Sequence, residues 1–296
     1  MFATLLGSLP RPPLVDDAAP EAILDAVLEA QVEHGLEPLT DGGWPLDRDV
    51  VGAWRSTAAR TDRLVKAVLS GPLTSGRPVA DVRAEVLALA DGGCPWIEIH
   101  ERAATTIGAD ADARARFADG HRALTADVGP DFHLSLAILG GSADDAGIET
   151  ILAGAYSSLA LDLIDGPDNW RLATATPTEM GLICGAMSTQ PGSDDGPEML
   201  LWAARYAAAS RGRGQARVGL ATSGSLDALP WPVAAAKVRR LGEAAALAMA
   251  PAEELLTAID PRAINARSAA LGRYEPEDPR PSRSPRPNRD TGRPPG

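Results

Sequence analysis

A chain of 296 residues is long enough for one large domain, and a (β/α)8 barrel of about 250 residues fits within it. A net charge of −12 repels phosphate backbones and argues against a nucleic-acid partner. Apolar runs such as Leu136–Leu139 are too short to span a bilayer, the first residues lack a basic leader, and two cysteines suit a reducing compartment, so a cytoplasmic protein with no membrane partner is expected.

Eight short runs, β-branched or leucine-rich and bounded by Gly, Pro or Asp, read as strands. In chain order they are Phe2–Leu6, Glu37–Asp41, Val65–Ser70, Trp96–His100, Phe132–Ile138, Leu159–Leu163, Met180–Cys184 and Arg217–Thr222. Helical patterns fill most gaps between them. Pro20–Glu33 carries Ile23, Val27 and Ala30 on one face, and Gly35 stops it. Val79–Ala90 carries Val79, Val82, Val86 and Leu89, and Asp110–Ala126, Asp145–Ala155, Pro197–Ser210 and Pro232–Ala248 follow, with weaker patterns at 47–58 and 168–173. Alternating β and α over this length predicts an α/β fold, a (β/α)8 TIM barrel over residues 1–272, with Pro251–Leu271 packing outside it. A doubly wound sheet is the alternative, but Gly7-Ser8-Leu9-Pro10 is not the glycine-rich loop it needs. Residues 273–296 are rich in Pro and Arg and nearly devoid of apolar side chains, which predicts a disordered tail.

In a barrel, function is built where strands end. Those ends read Leu6-Gly7-Ser8-Leu9-Pro10, Gly35-Leu36-Glu37-Pro38-Leu39-Thr40-Asp41-Gly42-Gly43, Ser70-Gly71-Pro72-Leu73-Thr74, Ile97-Glu98-Ile99-His100-Glu101, His133-Leu134-Ser135, Leu161-Asp162 and Leu220-Ala221-Thr222-Ser223-Gly224. Strand alternation puts Glu98 with His100, and His133 with Ser135, on common sides. Two histidines with nearby carboxylates suit general acid–base work, or a divalent ion other than zinc. His34 and His121 fall on helices and read as surface residues.

Taken in order, these ends resemble the catalytic barrel of cobalamin-independent methionine synthase, over roughly residues 3–250. That family carries I-G-S-x-P, G-L-x-x-L-x-x-G-E, T-G-P-x-T, I-D-E-P and H-x-C at successive strand ends, then a glutamate and a final cysteine. The resemblance implies a transferase moving a methyl or alkyl group to a small thiol or related nucleophile. It implies zinc at positions that read here as His133, Ser135, Asp162 and Ser223. Serine hydroxyls are poor zinc ligands, so the site is degraded, no metal ligand is assigned and no cofactor is expected. Cys184 could move into the role, whereas Cys94 should lie at the structural end. The acids that hold the family's amino-acid substrate read as Gly43 and His100, and the tryptophan beneath its folate is missing.

The expected catalytic residues are therefore His133, Asp162 and His100, and the expected substrate-binding residues are Gly7, Ser8, Glu98 and Glu101. Ser8, His100, His133 and Asp162 should converge on one pocket at the C-terminal mouth, around a small-molecule substrate. The alternatives are a catalytically inactive barrel serving as a ligand-binding or interaction protein, and a cofactor-free decarboxylase like uroporphyrinogen decarboxylase. The sequence leaves the oligomeric state open.

Overall fold

A computed structural model of the chain describes residues 1–129, 131–193 and 196–251. The predicted tail and the segment Pro251–Leu271, apart from its first residue, lie outside the described residues. Parallel strands β1 (Phe2–Thr4), β2 (Ala67–Ser70), β3 (Trp96–His100), β4 (His133–Ile138), β5 (Ser158–Asp162), β6 (Gly181–Met187) and β7 (Val218–Thr222) form one sheet, in the order β1-β7-β6-β5-β4-β3-β2. The sheet curls into a half-barrel of TIM type. Around it run α1 (Pro20–Glu33), α2 (Val50–Ala58), α3 (Pro72–Ser75), α4 (Val79–Asp91), α5 (Ala111–Thr125), α6 (Ile148–Ile151), α7 (Asn169–Ala175), α8 (Pro197–Ala209) and α9 (Trp231–Ala248). No described helix is long and apolar enough to cross a membrane.

The run Glu37–Asp41, expected as the second strand, forms a single parallel bridge, Leu39 with Val65. It nonetheless touches both edges of the sheet. Glu37 N–H donates to Ala3 O at 2.8 Å and the Thr4 hydroxyl to Pro38 O at 2.7 Å, while Leu39 N–H donates to Leu64 O at 2.8 Å. Pro38 has no N–H for a ladder, and Gly42 and Gly43, at φ +62° and +86°, turn the chain away. A second expectation also shortens. Asp145–Ala155 yields only the four-residue α6, because Gly147 breaks the run at φ +82°.

Alternation divides each strand's side chains between two clusters. Outward residues such as Ile97, Ile99, Leu136, Leu161, Cys184 and Leu220 pack beneath the helices in the large core. Inward residues Leu6, Ala137, Leu139, Ala160, Ile183 and Ala221 form a smaller cluster, with Phe2 and Trp96 against it. Each leucine or isoleucine among them contributes about 1.5–3 kcal/mol by leaving water, most of it offset by ordering entropy. Cys184 therefore faces the helices and not the mouth, and burial pushes its thiol up to about 12 despite the nearby Arg213 guanidinium.

Candidate functional site

At the C-terminal ends of the strands lies a polar cavity of about 470 Å³. Gly7 and Ser8 enter it from the loop after β1, His100 and Arg102 from β3, Gly140 from β4, Asp162 and Asp165 from β5, and Ser223 from β7. Gly7 stands at φ +103°, and a Cβ there would sit 2.6 Å from Ser225 Cα, so this turn requires glycine. Ser8 N–H donates to Ser225 Oγ at 3.1 Å. Gly43 is likewise constrained, since a Cβ would sit 2.4 Å from Ser8 Oγ. An acidic side chain at 43, as in the family the sequence resembles, would collide with Ser8.

Beneath His100 runs a buried chain of charge. Lys66 Nζ lies 2.8 Å from Glu98 Oε1 and donates to Leu5 O at 2.9 Å, with both charged side chains fully buried. His100 Nε2 lies 2.8 Å from the same carboxylate oxygen. Burial pushes Glu98 up, but the Lys66 ammonium and then His100 outweigh it and hold the carboxyl down to about 2. Lys66 is itself lowered by burial, against the pull of Glu98. An ionised Glu98 can only accept, so the Nε2–H of His100 donates and its Nδ1 is left for the cavity. Ser135 lies deeper, accepting from the Trp96 indole at 3.0 Å and donating to Glu98 Oε2 at 3.4 Å.

Two further mouth groups lack protein partners among the described residues. The Ser223 hydroxyl is buried with no hydrogen bond. Arg102 makes no ion pair, and its guanidinium passes over Gly140, where a Cβ would sit 3.2 Å from Nη2. Asp162 is the reverse case. Oδ1 accepts from Ile164 and Asp165 N–H at 3.0 Å each, and Oδ2 from Gly140 and Gly141 N–H at 3.2 Å each. Burial raises its pKa, and the Ile164, Asp165 and Gly140 N–H donors offset that rise only in part.

Gly7, Ser8, His100 and Asp162 thus line one cavity, and Glu98 supports it from below. Two of the expected site residues do not line it. Glu101 is buried and accepts from Leu73 N–H at 3.2 Å, Thr74 N–H at 2.6 Å and the Thr74 hydroxyl, and so caps α3. His133 does not join the cavity. It is the first residue of β4, level with Trp96, whereas Asp162 lies level with the end of β4. Six residues of strand separate those levels, on the order of 20 Å. His133 instead donates to or accepts from Ser158 Oγ at 2.8 Å, stacks with Trp96 at 3.9 Å between centroids, and is pushed down by burial to about 4.

His121, read as a surface residue, is buried against Tyr156 and Phe117, with Nε2 3.4 Å from Glu101 Oε2. Its spacing from Phe117 and Leu124 was the signal, since positions four before and three after share a helix face. Lys66 and Arg102 were also missed. Lys66 alternates in phase with Val68 and Ser70, a cue to its inward direction; nothing local marks Arg102.

No protein-family model and no curated protein matches the chain. Solved structures do. A B12-independent methionine synthase from Shewanella sp. W3-18-1, in complex with selenomethionine, superposes with a TM-score of 0.69 at 13% identity, covering 86% of this chain and 98% of its own. A putative vitamin-B12 independent methionine synthase from Listeria monocytogenes gives 0.66 at 12% identity, covering 85% and 98%. A methyltransferase from Methanosarcina mazei gives 0.58 at 13% identity, covering 82% and 93%. At these identities the likeness shows a shared fold.

Proposed function

We propose that this protein is a methionine-synthase-like transferase, acting in the cytoplasm, that moves a methyl or alkyl group to a small thiol or related nucleophile without the family's zinc. The observation carrying this reading is His100, held by the buried Glu98–Lys66 pair with Nδ1 left for the mouth cavity. Likeness of fold to methionine synthases supports the reaction class. The zinc that the resemblance implies does not fit the residues present. Ser135 is committed to Trp96 and Glu98 below the mouth, His133 lies at the far end, and Asp162 is saturated by four N–H donors. Among the described residues no three His, Cys, Asp or Glu side chains gather as a metal site.

In this mechanism a thiol S–H gives its proton to His100 Nδ1, and the sulfur pair attacks the donor's methyl carbon as the carbon–donor bond breaks. The donor atom departs with that electron pair; an amine then recovers the proton from the imidazolium, whereas a thioether leaves neutral and the imidazolium returns its proton to water. Glu98 stabilises the imidazolium formed between the steps, as a carboxylate behind a catalytic histidine does. Arg102 and the Ser223 hydroxyl anchor the substrate's anionic or polar end.

The test is mass-spectrometric detection of S-alkylation, with small thiols against methylsulfonium and methylated-amine donors. His100→Gln is expected to lower turnover by about a hundredfold while changing stability by less than about 1 kcal/mol. Absence of any alkylation overturns the enzyme reading. One observation favours the second reading, an inactive ligand-binding barrel: the carboxylates of Asp162 and Glu101 are consumed in holding loops. Saturable binding in the mouth without turnover would establish it.

A further inference from the structure

His133 is the residue the mouth leaves unused, and it lines a different cavity. A space of about 510 Å³ opens at the N-terminal ends of the strands, on the far side of the sheet's interior from His100. Phe2, Trp96 and His133, at the starts of β1, β3 and β4, make one wall, while Ser158 and Gly181, at the starts of β5 and β6, face them. Large rings stand on one half, the small Ser158 and Gly181 leave room on the other, and Leu182 and Ile183 complete the lining.

The small residues are required where they stand. A Cβ on Gly181 would sit 2.9 Å from Ser158 Cβ, and one on Gly219 would sit 2.5 Å from the Phe2 ring. Phe2 meets Trp96 edge-on with centroids 5.6 Å apart, and Trp96 stacks with His133 at 3.9 Å. These contacts and the Ser158 hydrogen bond hold the rings in place before anything binds. His133 Nδ1 makes no protein hydrogen bond among the described residues. The Ser157 hydroxyl offers a second polar contact, and Glu179 and Arg217 stand at the rim with opposite charges.

We infer that this cavity is a second small-molecule site, for an uncharged planar heteroaromatic ring of one or two fused rings, separate from the mouth. A flat ring is selected because the wall is aromatic and such pairs prefer offset or edge-on contacts. An uncharged one is selected because the Glu179 and Arg217 charges at the rim sum to zero, and because burial keeps His133 neutral at neutral pH. A ring nitrogen then exchanges a hydrogen bond with His133 Nδ1 or a serine hydroxyl. Volume and lining are those of small-molecule pockets, a few polar groups among aromatic walls.

Indazole is the probe, titrated into the full chain and followed by 1H–15N spectra, with cyclohexanol as a non-planar control. Saturable shifts are expected at the Trp96 indole N–H and the His133 ring, with no response to cyclohexanol at equal concentration. Ser158→Leu, which fills the space, should weaken binding by about tenfold or more. His133→Ala, which removes wall and adds no bulk, should weaken it by about fivefold. His100→Gln should leave it unchanged, so this site and the mouth are tested apart. No saturable shift, equal response to cyclohexanol, shifts confined to mouth residues, or binding unaffected by both Ser158→Leu and His133→Ala would each overturn the inference.

Discussion

Lys66 and Glu98 sit 2.8 Å apart with no exposed side-chain surface, and neither charge would survive that burial alone. Lys66→Met leaves Glu98 buried without its main counter-charge, and a loss of about 3–5 kcal/mol is expected by urea denaturation. The same pair sets an acid limb. Glu98 is held down from 4.5 to about 2, so its contribution is present above pH 4.5 and lost as pH falls towards 2. That shift corresponds to about 3 kcal/mol. His133 is lowered from 6.5 to about 4, so its neutral form is favoured in the fold, and stability falls as pH drops from 6.5 to 4. Unfolding free energy should therefore decline from pH 6.5 downward in two stages, and His133→Ala should remove the upper one. A flat profile between pH 7 and 4 would contradict this.

Among the elements, carboxylates do the work of caps. Glu101 closes the first turn of α3, and Gly71 is the residue that makes room, since a Cβ there would sit 2.1 Å from Glu101 Oε2. Glu101→Ala orphans two backbone N–H groups and should cost about 2–4 kcal/mol, read as a lower thermal midpoint. If Glu101 acted on substrate instead, affinity would fall with the midpoint unchanged. Asp162 ties the loop after β4 to the loop after its own strand through four N–H donors. Asp162→Asn turns an amide NH2 towards two of them, and a comparable loss of about 2–4 kcal/mol is expected in chemical denaturation. Helix packing is as exacting at Gly242 in α9, where a Cβ would sit 1.8 Å from His34 O, so Gly242→Ala must push α9 off the end of α1.

For the whole molecule, the weak place is the seam at residues 37–39. Strands β3 to β6 are flanked on both sides by ladders, whereas the seam is held by a bridge and a few hydrogen bonds. Amide hydrogens of Glu37 and Leu39 should exchange faster than those of Ile97, Leu136, Leu161 and Ile183, as mass spectrometry or NMR would measure. Equal protection would mean that the seam opens only with global unfolding.

The amino-acid sequence by itself determined the order of elements, the parallel sheet and the face each strand residue takes. Glu98 and His100 were placed on one side, and they meet at 2.8 Å. These follow from local chemistry: alternation has a period of two residues, and glycine and proline punctuate it. The level of each residue along the sheet's axis was decided only by the tertiary structure. His133 alternates correctly with Ser135 and Ala137, yet stands at the bottom of β4, because strand length depends on neighbouring strands, here through the pairing of His133 with Trp96 and of Ser135 with Ser158. Pro38 was visible as a missing donor, but whether Glu37–Asp41 could be a strand depended on both sheet edges being near. Alternation gives the inward direction of Lys66 but not its partner, and Arg102 and Glu101 are charged residues in unremarkable local contexts. Their burial, freedom and capping arise from partners 32 residues away for Lys66 and 27 and 28 for Glu101, a range over which no local pattern acts.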